Sequence, residues 1–302
     1  MANSNGWGDG AANNAISWGQ GANNAIAWGD SHAKSWAGAT DIVGLTTDPD
    51  AQAFITAAAI TDPTQQLAID NLVKGLKSDN IWTKMKAIYP FVGGTATTHK
   101  YNLKDPRDLD AAFRLVFNGG WTHSSNGATP NGTNGYADTK FNPFSNSLTT
   151  ASAHLSYYAR TQATTSDPAE IGNFQTSALT GLVLQSKSSS LTNRYFYGFS
   201  NAASRIVATA PVGYMMGSSI SNTRRDLYFN GTSVANNTTT DNTTFLNYNL
   251  FLGAANINNS SVSSYSNSQC AFSSIGDGLT DTEAANLYTR VQAYQTALSR
   301  NV

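Results

Sequence analysis

The chain of 302 residues is long enough for one large or two modest domains, each with a core of its own. Its 18 basic and 19 acidic residues leave a formal net charge of -1, which gives no electrostatic basis for binding nucleic acid or an anionic membrane. Charged residues make up only 12% of the chain, against roughly 25% in an average soluble domain, so amides and hydroxyls fill the exposed positions. We therefore expect any partner to be recognised by shape and hydrogen bonds.

The single cysteine, Cys270, cannot form a disulfide within the chain, and its apolar neighbours predict a small buried side chain. The sequence shows neither a basic start followed by an apolar run nor a stretch of roughly 20 apolar residues, which favours synthesis in a cytosol and disfavours membrane insertion. Sequons are accordingly interpreted as loop composition and not as glycosylation acceptors, for example at Asn131, Asn230, Asn237 and Asn242.

Residues 1–44 form a Trp-Gly-rich tract in which "NNAISWGQG" is followed closely by "NNAIAWGD". The tract holds four of the six tryptophans, Trp7, Trp18, Trp28 and Trp36. It buries too little apolar area to fold alone, so a flexible leader is one interpretation. The tryptophans recur at intervals of 11, 10 and 8 residues, which suits an extended chain with one anchor per step. Because tryptophan is enriched among residues that dominate interface energy, we favour a docking arm.

Residues 45–88 are predicted to form a helical connector. Two segments, "DPDAQAFITAAAI" and "TDPTQQLAIDNLVKGLKSDN", open with Asp-Pro, the cap and first-turn chemistry of a helix start. Apolar residues at a spacing close to three or four predict one buried stripe on the second helix, formed by Leu67, Ile69, Leu72, Val73 and Leu76.

From residue 89 to residue 302 the pattern changes to short β-branched and aromatic runs separated by Gly, Asn, Ser and Pro, which is typical of an antiparallel sandwich or barrel, and we favour a large sandwich. "GYMMGSSISNTRRDLYFNG" predicts a hairpin that turns at residues 221–223. Near the end, Thr280 and Glu283 form a capping box. A single apolar face then predicts a closing helix, with Ala284, Leu287, Val291, Tyr294 and Leu298 on that face.

Two long stretches resemble a class of virion structural proteins from tailed phages, crAss-like phages among them. One runs from "KMKAIYPFVGG" to "NGYADT", and the other is "QCAFSSIGDGLTDTEAANLYTRVQAYQTAL". The "ISWGQG" arm resembles the N-terminal portions of the same proteins, so the likeness covers nearly the whole chain. It implies a concanavalin A-like, laminin-G-type jelly roll in a head-fibre or tail-fibre component of the virion, assembled in the bacterial host cytoplasm. With this resemblance, the arm is expected to contact other virion proteins or sister subunits, and we expect a homotrimer.

A concanavalin-like sandwich can also carry a glycoside hydrolase, which needs two carboxylates at a fixed separation. The chain has two glutamates, Glu170 and Glu283, and neither lies in an E-x-D-x-x-E strand. The densest acidic cluster, Asp105, Asp108 and Asp110, follows a turn pattern and is interpreted as solvated charge. We therefore expect no enzyme activity, with a fibre-borne polysaccharide-degrading enzyme as the alternative.

The sequence predicts no metal site and no cofactor. The histidines, His32, His99, His123 and His154, show no i, i+4 spacing. There is no G-x-S-x-G, G-x-G-x-x-G or P-loop motif, although a Ser-His-Asp triad assembled from distant positions stays open. Asp241 in "NGTSVANNTTTDNTTF" is the one acidic residue of a loop that could offer a calcium ligand.

The run "NGGWTHSSNGATPNGTNGYADT", residues 118–139, is predicted to be an unusually long loop, and long loops on a rigid sandwich often carry function. It places Trp121, His123 and Tyr136 among amides and hydroxyls, an arrangement that suits stacking on sugar rings. These residues are the candidate site for host-surface glycans. The alternative is that Trp121 turns inward and closes the edge of the sandwich.

Overall fold

The computed structural model describes residues 47–178, 180–186 and 212–302 in full, and the backbone of four short strands outside these ranges. The chain divides into two compact units, Met1–Thr47 and Asp48–Val302. In the first unit, strands β1 (Ala25–Ala27) and β2 (Ala33–Ser35) pair antiparallel. Trp7, Trp18, Trp28 and Trp36 lie outside the described residues, so the docking role of the arm stays a prediction.

The second unit contains helices α1 (Pro49–Ala57), α2 (Pro63–Ser78), α3 (Ala96–His99) and α4 (Asp281–Ala297). Its strands are β3 (Met85–Tyr89), β4 (Val116–Asn118), β5 (Trp121–Ser124), β6 (Gly127–Pro130), β7 (Tyr136–Asp138), β8 (Ala153–Ala159), β9 (Ala169–Gln175), β10 (Thr180–Gln185), β11 (Arg194–Gly198), β12 (Ile206–Ala208), β13 (Gly213–Ser221), β14 (Arg224–Phe229), β15 (Thr232–Asn237), β16 (Phe251–Leu252), β17 (Ala255–Ile257), β18 (Ser261–Ser263) and β19 (Cys270–Gly276). None of the helices that the structure describes combines the length and apolarity needed to cross a bilayer.

The strands form two sheets. The first sheet has the order β15-β14-β13-β8-β19-β6-β5, with β3 also paired to β19. The second has the order β12-β11-β10-β9-β16-β7-β4, with β17 and β18 attached at β9. The described pairings are antiparallel except for β17 on β9. The predicted fold class, a mainly β antiparallel sandwich with helices before it and a helix after it, is confirmed.

Strand β8 contributes to two apolar cores, one on each face of the first sheet. Its side chains alternate between the two faces of the sheet, as in any strand. Leu155 and Tyr157 join the apolar core between the two sheets, where Cys270 also lies fully buried. Tyr158 joins a second core on the opposite face, formed with α1, α2 and α4. The sandwich is therefore covered by a helical layer on its first sheet.

The helix starts follow the predicted chemistry. The Asp48 side chain accepts from the backbone N–H of Asp50 at 3.0 Å, and Asp62 accepts from that of Thr64 at 2.7 Å. The Thr280–Glu283 capping box of α4 is present. Ala284, Leu287, Val291 and Tyr294 of its predicted face are buried, and Leu298 is half-buried against the same core.

Three sequence predictions are wrong in detail. Leu67 is 48% exposed and does not belong to the buried stripe of α2, because two residues before Ile69 it is rotated by roughly 200° and faces away from the stripe. Residues 85–88, assigned to the helical connector, are part of β3, which pairs with β19 and runs across the expected boundary at residue 88. The hairpin of β13 and β14 is confirmed, but its turn is shorter than predicted, because Ser221 already pairs with Arg224.

A fourth correction concerns residues 118–139. The expected long loop is instead three strands, β5, β6 and β7, joined by short turns. β5 and β6 form a hairpin on the first sheet, whereas β7 belongs to the second sheet. The segment therefore carries the chain across the edge of the sandwich, and this crossing positions the three candidate glycan-binding residues.

Candidate functional site

The chain crosses from the first sheet to the second in the turn of residues 131–135, which we call the Asn131 corner. The Asn131 side-chain oxygen accepts from the backbone N–H groups of Thr133, Asn134 and Gly135 at 3.0, 3.0 and 2.9 Å. Gly119 faces this corner with a φ of +67°, and a Cβ there would lie 2.0 Å from the Asn134 carbonyl oxygen. Only glycine meets both conditions. The amides expected to contact a ligand at this corner hold the chain instead.

Trp121 and His123 point into the edge of the sandwich. They lie opposite Pro130 and Ala128 on β6, both of which are buried. β4 and β5 are the end strands of the two sheets, and Phe117 on β4 meets both side chains between them. Its ring centroid lies 5.2 Å from that of Trp121 and 4.7 Å from that of His123. The three rings close this edge.

The polar group of Trp121 is satisfied inside the protein. Its indole N–H donates to the backbone carbonyl of Tyr136 at 3.2 Å. The ring also lies so close to Gly253 that a methyl group there would approach it to 3.1 Å. The side chain is half-buried against the core between the sheets. This placement matches the inward-turned alternative for Trp121.

His123 contacts a second histidine that the sequence did not connect with it. His99 lies on α3, and its Nδ1 is 2.9 Å from Nδ1 of His123. Burial, then the neighbouring His123, then Arg300 lower the pKa of His99 to about 3, and burial lowers the pKa of His123. Both rings are therefore neutral near pH 7, so that one Nδ1 donates and the other accepts.

Tyr136 faces the other way. On β7, Ala137 points into the core between the sheets, so Tyr136 and Asp138 lie on the outer face of the second sheet. Phe251 on β16 pairs directly with Asp138 and shares that face. The rings of Tyr136 and Phe251 are stacked, with centroids 4.8 Å apart and planes at 29°. Both residues are half-buried, and they make an aromatic platform on the sheet.

Polar groups border this platform. The Asp138 carboxylate accepts from the Asn249 side-chain amide at 3.1 Å and pairs with the Lys140 ammonium at 3.1 Å. Asn249 is held in turn, because its backbone carbonyl accepts from the Asn256 side-chain amide at 3.0 Å. We call Tyr136, Phe251, Asp138 and Asn249 the outer patch. It combines ring faces with hydrogen-bonding groups of fixed orientation.

A third aromatic side chain lies near the outer patch. Burial, and then the neighbouring Tyr136, raise the pKa of Tyr265. Tyr265 is half-buried in the segment between β18 and β19.

The other candidate residues have structural partners. Glu170 is fully buried and accepts from the Ser186 and Ser266 hydroxyls, the latter at 2.7 Å. Glu283 caps α4 and pairs with Lys84 at 2.5 Å.

The remaining acidic candidates are engaged as well. Asp105 pairs with Arg107, Asp108 with Arg114 and Lys100, and Asp110 with Arg114 and Lys140. Asp241 is buried, and its carboxylate accepts from both the backbone N–H and the hydroxyl of Thr243. These contacts favour a structural role for Asp241 over that of a calcium ligand.

Metal ligands do not gather in the part of the chain that the structure describes, where no three His, Cys, Asp or Glu side chains come together. His154 is fully buried, with Nδ1 2.6 Å from the Asp277 carbonyl and Nε2 3.1 Å from the Ser274 hydroxyl. Burial lowers its pKa to about 4. Because Ser274 is itself fully buried, this contact belongs to the interior and not to a site open to substrate. His32 lies outside the described residues.

Sequence reasoning found Tyr136 but missed Phe251, Asp138 and Asn249. In "NYNLFLG" the inward residues Leu250 and Leu252 flank Phe251, so strict alternation already places an aromatic ring on the outer face. Its neighbour Asp138 lies more than 100 residues earlier in the chain, and the pairing that joins them requires the sheet order.

The fold and this surface together define a two-sheet β-sandwich, with helices on one sheet and an aromatic, hydrogen-bonding patch on the other. No protein-family model and no curated protein matches the sequence. Similar solved structures include a Trypanosoma rangeli sialidase in complex with 2,3-difluorosialic acid, with a TM-score of 0.44 and 9% identity. The match covers 74% of this chain and 38% of the sialidase, so this chain spans well under half of that protein's length.

Two carbohydrate-binding structures are also similar. The CBM40 module of the Ruminococcus gnavus IT-sialidase has a TM-score of 0.33 at 14% identity, over 44% of this chain and 79% of the module. Domain 4 of a GH43 extracellular arabinanase from Geobacillus stearothermophilus, in complex with arabinotriose, has a TM-score of 0.37 at 14% identity, over 68% of this chain and 98% of the domain. At these scores the likenesses say nothing about the ligand or activity of this chain.

Proposed function

We propose that the sandwich is a non-enzymatic carbohydrate-binding module whose ligand lies on the outer patch. The observation that carries the proposal is the stack of Tyr136 and Phe251 beside the Asp138 carboxylate and the Asn249 amide. Aromatic rings offer large apolar surfaces that pack against the C–H face of a sugar ring. A few fixed polar groups then orient the ligand through its hydroxyls.

The proposal gives the two remaining candidates of the sequence a supporting role. Trp121 and His123 close the edge of the sandwich, and Trp121 holds the backbone of Tyr136 through its indole N–H. Tyr136 is the member of the predicted trio whose side chain meets the ligand. The other two position the strand that carries it.

We further propose that this module is a head-fibre or tail-fibre component of a tailed phage. The sequence resemblance supports this role, and the Trp-Gly arm with Trp7, Trp18, Trp28 and Trp36 is the segment that would dock to other virion proteins or to sister subunits in a homotrimer. Deleting residues 1–44 is expected to leave the sandwich folded but absent from purified particles. Normal incorporation of the truncated protein would contradict an anchoring arm.

Binding is tested with the variants Tyr136→Ala and Phe251→Ala against immobilised host polysaccharide and an oligosaccharide array. Loss of one ring of the platform is expected to weaken binding by about fivefold, since an aromatic contact contributes on the order of 1 kcal/mol. Phe144→Ala is the matched control, because Phe144 is 50% exposed in the segment after β7 and outside the outer patch. Equal binding by all four proteins would contradict the proposed site.

The enzyme alternative has its own readout. Glu283 is engaged in a helix cap and Glu170 is buried with two serine hydroxyls, which favours binding over hydrolysis. Incubation of the purified protein with host polysaccharide is expected to release no reducing ends. Their release, and its loss in Glu170→Gln, would replace the binding proposal with a polysaccharide-degrading enzyme.

A further inference from the structure

We propose that the outer patch selects neutral sugars and discriminates against glycans that carry a carboxylate, such as sialic or uronic acids, with Asp138 as the specificity-determining residue. This inference rests on the proposed carbohydrate-binding function and names the class of ligand. It follows from the charges that surround the aromatic platform.

Asp138 is the charged member of the patch. It lies directly opposite Phe251 in the sheet, two residues from Tyr136 on the same face of β7, and its side chain keeps 16% of its exposure. An ionised carboxylate only accepts hydrogen bonds, so it can bind sugar hydroxyls as they donate. A ligand carboxylate has no proton to donate and repels the same group.

The cations near Asp138 are already engaged. Lys140 lies between two carboxylates, 3.1 Å from Asp138 and 3.7 Å from Asp110. Arg114 pairs with Asp110 at 2.9 Å and with Asp108 at 2.8 Å.

The series continues with Lys100, which pairs with Asp108 at 2.5 Å. Three cations and three carboxylates thus alternate in a continuous series of ion pairs that ends at Asp138, and their formal charges cancel. Tight recognition of a carboxylate typically uses an arginine fork, and the one arginine of this series, Arg114, already donates from Nε to Asp110 and from Nη1 to Asp108. Among the described residues of this series, each cation is already paired with a carboxylate of the protein.

The amide beside Asp138 completes a surface for neutral groups. One N–H of the Asn249 side chain donates to Asp138, which leaves a second N–H and the amide oxygen for a ligand. A carboxylate acceptor next to an amide donor and acceptor suits a pair of neighbouring hydroxyls, each of which donates and accepts. The patch therefore matches a neutral pyranose ring on its face and along its hydroxyl edge.

The test uses matched neutral and anionic probes with the full chain. Cellotetraose, maltotetraose, mannotetraose and lactose are compared with a galacturonic acid tetramer and 3′-sialyllactose, by calorimetry at low and at moderate salt. At least one neutral probe is expected to bind, and each anionic probe is expected to bind about tenfold or more weakly, a gap that salt narrows.

The variant Asp138→Asn keeps the shape and an acceptor oxygen but removes the charge. It is expected to reduce the gap between neutral and anionic probes by about fivefold or more, with an unchanged melting temperature as the check on folding. An anionic probe bound as tightly as the neutral ones, or an unchanged gap in Asp138→Asn, would overturn the selectivity while leaving the binding function in place. Absence of binding to every probe, neutral and anionic, would instead contradict the proposed function and the inference with it.

Discussion

The indole N–H of Trp121 donates to the backbone carbonyl of Tyr136 at 3.2 Å, although the two side chains serve different parts of the molecule. Trp121 lies on the end strand of the first sheet and fills the edge of the sandwich, whereas the Tyr136 ring lies on the outer face of the second sheet. The bond ties the two sheets together at the point where the chain crosses between them. It links the stability of the edge to the position of the outer patch.

Replacing Trp121 by alanine is therefore expected to act mainly on the stability of the fold and less on contact with the ligand. The variant loses a half-buried ring that packs on Phe117 and leaves a cavity, at a cost of about 2–4 kcal/mol in the free energy of unfolding. Urea denaturation measures this directly. If Trp121→Ala keeps its stability but loses glycan binding, the ring belongs to the ligand site and our placement is wrong.

The corner that carries the chain between the sheets is equally open to test. A side chain at Gly119 would meet the Asn134 carbonyl and require a left-handed backbone, so Gly119→Ala is expected to destabilise the protein by about 1–3 kcal/mol. Thr133→Ala, at an exposed position of the same turn, is the control and should change stability by less than about 0.5 kcal/mol. Equal effects in the two variants would show that the corner is not constrained.

The buried histidines predict a loss of stability in mild acid. The folded pKa values of His99 and His154 lie at about 3 and about 4, below the ordinary value of 6.5. The unfolded chain therefore binds protons that the folded chain excludes. The contribution of the two histidines to the free energy of unfolding is complete above pH 6.5. It falls as the pH drops, by up to about 1.4 kcal/mol per pH unit for each histidine.

Urea midpoints measured between about pH 7 and about pH 5 test this dependence. His99→Gln removes one of the titrating groups and is expected to flatten the curve while leaving a slope from His154 and His123. A wild-type midpoint that stays constant across this range would mean that the histidines are accessible to protons in the folded state.

Arg300 fixes the C-terminal residues to the sandwich. Its guanidinium, which is almost fully buried, donates to the carbonyls of Phe91, Pro90 and Ala271 at 2.6, 2.7 and 2.9 Å. Arg300→Met leaves these buried acceptors without a donor and is expected to cost about 3–5 kcal/mol, measured by thermal or urea unfolding. Ser299→Ala, at the exposed neighbouring position, is the control. A loss below about 1 kcal/mol in Arg300→Met would contradict the role of this network.

The extent to which the fold follows from sequence depends on the range of the interaction. Helices α1, α2 and α4 begin where Asp-Pro and Thr-x-x-Glu chemistry predicts, because a cap acts within three or four residues. Strand alternation likewise predicted the mainly β class. The helical layer was harder to predict, since it depends on which face of the first sheet Tyr158 and its neighbours occupy.

The candidate site could be predicted only in part, because most of its contacts join residues that are far apart in the sequence. Composition drew attention to residues 118–139, yet their asparagines and glycines build the Asn131 corner, and two of the three aromatic candidates turn inward. The partners of Tyr136 come from β16, from the residues just before it and from the end of β7, and only the pairing of these strands brings Phe251, Asp138 and Asn249 beside it.

The most direct test of glycan binding at the outer patch is a chemical-shift titration of the labelled protein with the neutral oligosaccharide that binds best. We predict saturable shifts concentrated at Tyr136, Asp138, Asn249 and Phe251, with the Trp121 indole following through its bond to Tyr136. Shifts centred elsewhere on the sandwich, or none at saturating ligand, would contradict a binding site at this patch.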